Sequence, residues 1–395
     1  MKLKGNILVA LVVTVTNLFA DISVSDVKVF SGYPWKEVAI GYTITGSTDQ
    51  ERTLDVTATD NTNGKTYVCW KLEGVDCTPG RHVVKWNPLA DGVKIASNNV
   101  TFKVRVIPPP PLYCVIDISG GMNATSYPVT RLESVPPGGW TDEYKTAKLV
   151  LRRIEAGTFM MGSAAVSHQV TLTKPFYIGV FELTIGQYVL VMGKAAPGYH
   201  GDTKPMQRVS YSDVRGRGDG CGWPEHNRVD AGSFFGRLRE KTGLEFDLPT
   251  EAQWEYACRA GTTSDFNDGS TSISEVGLYA YNGGFERDIR SAYLGAPLGP
   301  GIVGTFLPNA WGLYDMHGNI AELCLDFYGD VDGVIDPRGP DSGSRRVSRG
   351  GSWRSYEEAY CTSSHRSALY PNDVESSIGF RVAWSPCDKS FTFQE

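Results

Sequence analysis

Between Asp315 and Glu322 the sequence reads DMHGNIAE: a carboxylate, a glycine-containing turn and a second carboxylate seven residues on. That spacing lets one loop wrap a hard cation, because such ions take several oxygen ligands from carboxylates and backbone carbonyls. The other chemistry-bearing residue types are dispersed. Eight cysteines stand at 69, 77, 114, 221, 258, 324, 361 and 387, and no two have the C-x-x-C spacing of a zinc site. Cys69 and Cys77 flank the short stretch WKLEGVD and are placed to staple one hairpin. Six histidines, at 82, 168, 200, 226, 317 and 365, form no ligand pattern, and His365-Arg366 reads as a surface or loop feature. There is no H-E-x-x-H, no phosphate loop and no nucleophile elbow, so nothing points to zincin, P-loop or α/β-hydrolase chemistry.

Helices and turns must position these residues. TIGQYVLVMG (184–193) is predicted to be a helix, as is DAGSFFGRLREKTG (230–243), with Phe234, Phe235 and Leu238 on one face and Gly243 as its stop. A third lies within LPTEAQWEYACRAG (248–261): Thr250 is the predicted N-cap, Gln253 completes a capping box and Gly261 ends the helix. From 262 onward Gly, Asn, Asp and Ser dominate, so long loops alternate with short strands. Upstream, residues 21–107 alternate in strand fashion (Val38, Ile40, Tyr42, Ile44; Val100, Phe102, Val104, Val106) between turn residues. They predict a small all-β sandwich of immunoglobulin or fibronectin type, with Trp86 in its core, serving as a spacer or docking module. Pro108 to Pro111 is a stiff joint opening a linker and bridging segment (108–146), in which YCVIDISGG (113–121) is strand-like. A second domain is expected over 147–385 and a tail over 386–395.

Residues 1–20 combine Lys2 and Lys4, an apolar run from Ile7 to Val15, and an ending Leu18-Phe19-Ala20 that resembles a cleavage site. They read as a signal peptide, too short in its apolar stretch for a comfortable bilayer span. The expectation is a protein secreted, or held in the periplasm or cell envelope, with no membrane span in the mature chain. Outside the cytoplasm an even cysteine count permits disulfides. Lys+Arg 38 against Asp+Glu 44 gives a formal charge of −6 with no basic run, which argues against nucleic acid or anionic membrane surfaces as partners.

A series of motifs adds to this. GTFMMGS (157–163), PFYIGVFELTIGQY (175–188), PMQRVSYSDV (205–214) and FDLPTEAQWEYACRAGT (246–262) come first. NAWGLYDMHGNIAELCLDFYG (309–329), RVSRGGSW (346–353), HRSA (365–368) and SSIGFRVA (376–383) follow. Their order resembles that of the formylglycine-generating enzyme, or sulfatase-modifying factor, family. The resemblance implies an α+β, C-type-lectin-like fold with little regular secondary structure. Glycines at tight turns and large aromatics such as Trp254, Trp311, Trp353 and Phe380 suit a loop-rich core. Arg381, inside a strand-like run, is expected to pair with a buried carboxylate, with Glu251 and Glu255 as candidates.

The resemblance also carries cofactor expectations. Family members bind calcium at the DMHGNIAE stretch, which by residue-for-residue match makes the Asp315 and Glu322 side chains and the Gly318 and Ile320 carbonyls its ligands. A second calcium loop of the family falls near Asn282, but residues 283–303 depart from its pattern. Active members oxidise a sulfatase cysteine using copper(I) and oxygen, the copper lying between two thiolates after a Gly-Gly-Ser turn; soft thiolates suit Cu(I). Here that turn is Gly350, Gly351 and Ser352, and the thiolate positions fall on Ser355 and Tyr360, neither of which replaces a thiolate. Cys361 lies one residue beyond, so a slip restores one ligand and not two. The family's active-site Trp is matched by Ala321, while Ser352 is retained. In some relatives the cysteine matching Cys258 is bridged to one after the GFR-type Arg; that position is Val382 here, so Cys258 is expected to be a buried free thiol. Cys324 and Cys361 are expected to lie near one another.

Two readings of function follow. One is a non-catalytic binding or display module, presenting loops 262–303 and 353–375 to a protein or glycan; variable proteins of diversity-generating retroelements use a similar fold in this way. The other is an oxidoreductase that generates formylglycine from cysteine in sulfatases, or a variant of that chemistry. The altered positions Ser352, Ser355, Tyr360 and Ala321 favour the first, with calcium as a structural ion and copper absent.

Overall fold

Alternating apolar residues in the first hundred positions build strands whose inward faces share one core. The computed structural model describes residues 22–30, 34–46, 51–194, 201–217, 228–282, 299–331 and 333–386. The expected signal peptide, Cys221 and Cys387 lie outside the described residues. The chain divides into two units, one up to Pro110 and one over Pro111–Ser385.

The strands of the first unit are β1 (Ser23–Val29), β2 (Val38–Thr45), β3 (Thr53–Asp60), β4 (Lys65–Val68), β5 (Leu72–Glu73), β6 (Gly80–Trp86) and β7 (Val100–Ile107). They form a four-stranded sheet, β1-β2-β6-β5, and a three-stranded sheet, β4-β3-β7. Val38, Ile40, Tyr42 and Ile44 from one sheet and Phe102 and Val104 from the other are buried in a common core around Trp86. This is the two-layer solution for sheets that are apolar on one face. The polar end of Trp86 is met by buried Asp91, whose Oδ2 accepts from Trp86 Nε1 at 2.6 Å and from the Trp70 N–H at 2.7 Å. The hairpin staple expected from Cys69 and Cys77 is not formed, because Cys77 carries a free thiol. Its physical reason is topological: the chain changes sheets between β4 and β5, so the two cysteines do not flank one hairpin.

In the second unit β8 (Tyr113–Asp117), β9 (Val129–Leu132), α1 (Glu143–Thr146) and β10 (Lys148–Ile154) come first. The segment read from sequence as a bridge thus supplies two strands to a six-stranded sheet. Next come the hairpin β11 (Gly157–Ser163) and β12 (Val166–Leu172), then β13 (Phe176–Gly179), α2 (Ile185–Met192), α3 (Tyr211–Arg215), α4 (Phe234–Thr242), β14 (Phe246–Asp247) and α5 (Glu251–Arg259). The last elements are short: β15 (Gly277–Leu278), β16 (His317–Gly318), β17 (Ala321–Phe327), β18 (Arg346–Arg349), β19 (Arg366–Leu369), β20 (Ile378–Gly379) and β21 (Ala383–Trp384). The main sheet has the order β14-β21-β13-β10-β8-β9, and a second sheet has the order β19-β18-β17-β20. Few strands and helices joined by long loops make this the α+β, C-type-lectin-like arrangement.

The helix ends follow their sequence signals. Thr184 with Gln187 and Thr250 with Gln253 form capping boxes, and Gly193 and Gly243 close α2 and α4 in the left-handed conformation. At α5 the left-handed residue is Ala260, one position before the expected Gly261. Helix α3 was not expected, although Ser210 and Asp213 give it a capping box of the same kind.

The Asp91 contact yields a test. Asp91→Ala strands the Trp86 indole N–H and two backbone N–H groups, so chemical denaturation followed by tryptophan fluorescence should show a loss of about 2–3 kcal/mol. A loss below about 0.5 kcal/mol, the scale of an ordinary surface change, counts against the contact.

Candidate functional site

The site is assembled where β17, β20 and the segment between β20 and β21 meet α5. β20 runs parallel to the start of β17, placing Glu322 opposite Gly379 and bringing Arg381 to it. Arg381 is fully buried and donates Nη2 to Glu322 Oε1 at 2.7 Å and Nε to Oε2 at 3.0 Å. Its remaining N–H groups reach the carbonyls of Gly179 (2.8 Å), Val180 (3.1 Å) and Tyr314 (2.8 Å). Trp254 of α5 adds Nε1 to Glu322 Oε2 at 2.8 Å. Burial opposes the guanidinium's charge, but Glu322 beside it keeps the Arg381 pKa above its ordinary value.

The expected partners of Arg381, Glu251 and Glu255, are corrected by this geometry. Glu251 holds Arg366 through two bonds of 2.7 and 2.6 Å and Arg349 at 2.9 Å. Glu255 is shared by Arg259 and Arg349. Glu251 is engaged by the second sheet, whereas Glu255 is shared among Arg349 of that sheet, Arg259 of its own helix and the Gly162 N–H of β11.

Glu322 is therefore committed. Its two oxygens together accept from three donors, Arg381 Nε and Nη2 and Trp254 Nε1, against the roughly four lone-pair directions a carboxylate offers. It is one of the four expected calcium ligands, with the Asp315 side chain and the Gly318 and Ile320 carbonyls, and in this arrangement it meets Arg381 and Trp254. Among the described residues no group of three or more His, Cys, Asp or Glu is placed to hold a metal ion. Asn282, near the expected second calcium loop, bonds within its own turn to Gly277 O and Tyr279 N, and residues 283–298 lie outside the described residues.

Asp315 has a left-handed backbone (φ 56°) and accepts from the Gly304 N–H at 2.6 Å, while its other oxygen is buried with no hydrogen-bond partner. Burial pushes its pKa up to about 6. Glu182, also buried, is raised well above the carboxylate range by burial and then by the charges of Asp315 and Glu322.

Glu182 leads to a residue that the sequence reading missed. Asn319, left-handed at φ 53°, donates Nδ2 to Glu182 Oε2 at 2.6 Å and accepts the Gly301 N–H on Oδ1 at 2.9 Å. Its backbone donates to Leu278 O (2.8 Å) and accepts from Trp353 N (2.9 Å). The side chain, N–H and carbonyl of one residue thus tie three loops to the core. The signal was present, since Asn after Gly in a turn is a residue tolerant of the left-handed region.

The Gly350-Gly351-Ser352 turn sits directly above. Gly350 and Gly351 have φ of 87° and 68°, and a Cβ on Gly351 would strike Cys361 and the Tyr360 carbonyl. Ser352 N–H donates to Ser355 Oγ at 3.0 Å and Ser355 N–H to Ser352 O at 2.9 Å, closing a tight turn. Tyr360 is instead 45% exposed, with its ring beside His365. Cys361 is buried against the turn, where burial pushes its thiol up to about 11 and the Ser355 hydroxyl and Ser352 N–H only partly offset that. Ala321 is a buried methyl group at the start of β17. One protonated thiol, one hydroxyl and an outward phenol do not make a Cu(I) site.

Cys258 is a buried free thiol, raised to about 12 by burial, with its sulfur 3.7 Å from His317 Nε2. His317 is itself buried: Nδ1 donates to Cys361 O at 2.7 Å and Nε2 accepts from Asn267 N at 3.1 Å, and burial holds its pKa down at about 4. The pair is neutral and structural. Cys324 and Cys361 lie in separate apolar clusters, the former with Trp254 and Val347 and the latter with Phe266 and Ile273, so the expected proximity is not found.

Around the turn the loops carry aromatic rings. Glu358 accepts from Tyr279 OH (3.0 Å) and Ile273 N (3.1 Å), and Ala280 N donates to Ser355 O (3.0 Å), joining loop 272–282 to loop 353–361. Tyr281 and Tyr356 are 59% and 66% exposed with ring centroids 6.4 Å apart, and Tyr279 lies 6.0 Å from Tyr281. No helix of the described residues is long and apolar enough to cross a membrane.

Comparison with known proteins places this geometry. Residues 142–386, more than half of the chain, match the Sulfatase-modifying factor enzyme 1-like domain. "Chaperone protein LppX" of Paenibacillus barcinonensis is 27% identical over 223 residues, 51% of this chain and 77% of that protein. A formylglycine-generating enzyme of Thermomonospora curvata is 34% identical over 152 residues, 35% of this chain, so the match spans about half (49%) of that enzyme's length. The solved structure of PvdO from Pseudomonas aeruginosa is 25% identical, with a TM-score of 0.48, covering 64% of this chain and all of that one.

Two outcomes are expected from this site. Glu322→Gln leaves Arg381 buried without its hydrogen-bonded counter-charge and should lower stability by about 3–5 kcal/mol in chemical denaturation, and a loss below about 1 kcal/mol counts against the pair. Asp315 ionises near pH 4 when unfolded and at about 6 when folded, so its contribution makes stability fall as pH rises between those values. Asp315→Asn should gain on the wild type over that window by on the order of 2–3 kcal/mol; a constant difference from pH 4 to 7 refutes the assignment.

Proposed function

Because the chain belongs to the Sulfatase-modifying factor enzyme 1-like domain family, we propose that it is a non-catalytic member acting as a binding or display module outside the cytoplasm. The observation that carries this reading is the loop after Gly350-Gly351-Ser352. Its single thiol, Cys361, is buried and held protonated, while Ser355 and the exposed Tyr360 occupy the positions at which the chemistry of active members needs thiolates. Loss of the thiolate pair removes the soft ligands for Cu(I) but leaves the fold intact, because the turn is held by backbone bonds and by glycine.

What the loop offers in exchange is contact surface. Tyr281 and Tyr356 project from loops braced by Glu358, and rings of this kind supply large contact area with few rotatable bonds. A relative that carries the name of a chaperone rather than an enzyme supports a role in holding another molecule. Export is supported by the leader-like residues 1–20.

The deciding measurement is metal analysis of the copper-treated protein together with oxygen consumption on a Cys-x-Pro-x-Arg peptide. The expected result is copper well below one equivalent after dialysis and no peptide-dependent oxygen uptake. Stoichiometric copper with uptake that vanishes in Cys361→Ser establishes the oxidoreductase reading instead.

A further inference from the structure

From the tyrosine-bearing loops we infer the chemical class of the partner: an extended polypeptide segment with lysine or arginine at alternate positions, lying across Tyr279, Tyr281 and Tyr356. The inference rests on reading the chain as a binding module. Its first support is charge. Over residues 262–282 and 353–363 there are five carboxylates, Asp265, Asp268, Glu275, Glu357 and Glu358, against one basic residue, Arg354. That arginine, exposed beside the Trp353 ring with a bond to Ser376 Oγ, leaves the two stretches with a formal charge of −4. Four of the five acids are exposed, and Glu358, the half-buried one, bonds directly to the Tyr279 hydroxyl.

These stretches form one surface, since Ser363 N donates to Asp265 O and Ala280 N to Ser355 O. The surface is therefore aromatic and anionic together. Aromatic faces attract ammonium and guanidinium groups through the ring quadrupole, and surrounding carboxylates reinforce that attraction while repelling anions.

The second support is spacing. Successive ring centroids are 6.0 and 6.4 Å apart. An extended chain rises about 3.3 Å per residue, so side chains on one of its faces repeat at about 6.6 Å. The two exposed rings, Tyr281 and Tyr356, thus match cations at positions i and i+2 of a strand-like segment, with the half-buried Tyr279 extending the aromatic surface on the Tyr281 side. The rings are set before binding, because Glu358, Ser355 and Asn319 fix the loops that carry them, which limits the ordering cost of association.

The test uses the full chain and a fluorescent hexapeptide of alternating lysine and serine, read by anisotropy. The controls are the same peptide with glutamate in place of lysine and a neutral hexasaccharide. The expected result is saturable binding of the lysine peptide alone, weakening severalfold between 50 and 300 mM salt. Tyr281→Ala and Tyr356→Ala should each weaken it about tenfold, Tyr281→Phe should leave it unchanged, and Glu357→Gln should weaken it and flatten the salt dependence. These residues are exposed, so melting temperatures should stay at the wild-type value and separate lost binding from lost folding. No binding of the lysine peptide at millimolar concentration overturns the inference, as does equal binding by the Tyr281→Ala/Tyr356→Ala double variant. If the saccharide or the glutamate peptide binds instead and needs Tyr281, the cationic partner is refuted while the binding-module reading stands. Copper-dependent oxidation of a cysteine peptide, by contrast, removes the reading beneath it.

Discussion

The buried guanidinium of Arg381 ties β17 to β13 and to the segment before β16 within the second unit. Its N–H groups are satisfied by a carboxylate from β17 and by carbonyls of Gly179, Val180 and Tyr314, and its counter-ion is steadied by the indole of α5. A chain with so little regular structure has few ladders of backbone hydrogen bonds to fix its loops. A planar, always-charged group with five donors in a fixed fork can do so where no helix or strand can. Removing a buried charge from water is costly, which explains why nearly every direction around Arg381 and Glu322 is filled.

A second set of buried ions repeats the design beside the first. Glu251 and Glu255, four residues apart on α5, hold Arg349 of β18, Arg366 of β19 and Arg259 of their own helix. The helix is thereby attached to the second sheet through charge and to the turn 315–322 through Trp254. Its apolar face, with Ala252, Ala257 and Cys258, fills the space between. Packing and ion pairing act on the same few turns of one helix, so the small core is specified as well as stabilised.

Much of this was legible before any coordinates. The capping residues of α5, the alternating strands around Trp86 and the burial of Arg381 rest on local signals or on single-residue chemistry, and the buried state of Cys258 follows from the family resemblance. Pairing was not legible. Glu322 and Arg381 are 59 residues apart in sequence, and nothing local distinguishes Glu322 from Glu251 or Glu255 as the carboxylate that meets the guanidinium. The same holds for the cysteines, whose neighbours depend on which loop folds over which cluster. The DMHGNIAE stretch shows the limit most clearly: no signal within it says that Glu322 meets the side chain of Arg381. Asn319 and Glu358, which brace the loops, carry their meaning only through partners far away in sequence.

Asn319 has a consequence for how such a protein changes over time. The loops it secures are gripped mostly by main-chain atoms: a Leu278 carbonyl, a Gly301 N–H and a Trp353 N–H. Main-chain anchors are indifferent to which side chain stands at the positions between them. The outward residues of these loops can therefore drift under mutation with little penalty to folding, and selection can explore new contact chemistries on an unchanged frame. Evolvability of this kind is a mechanical property, set by where the anchoring atoms lie in the chain.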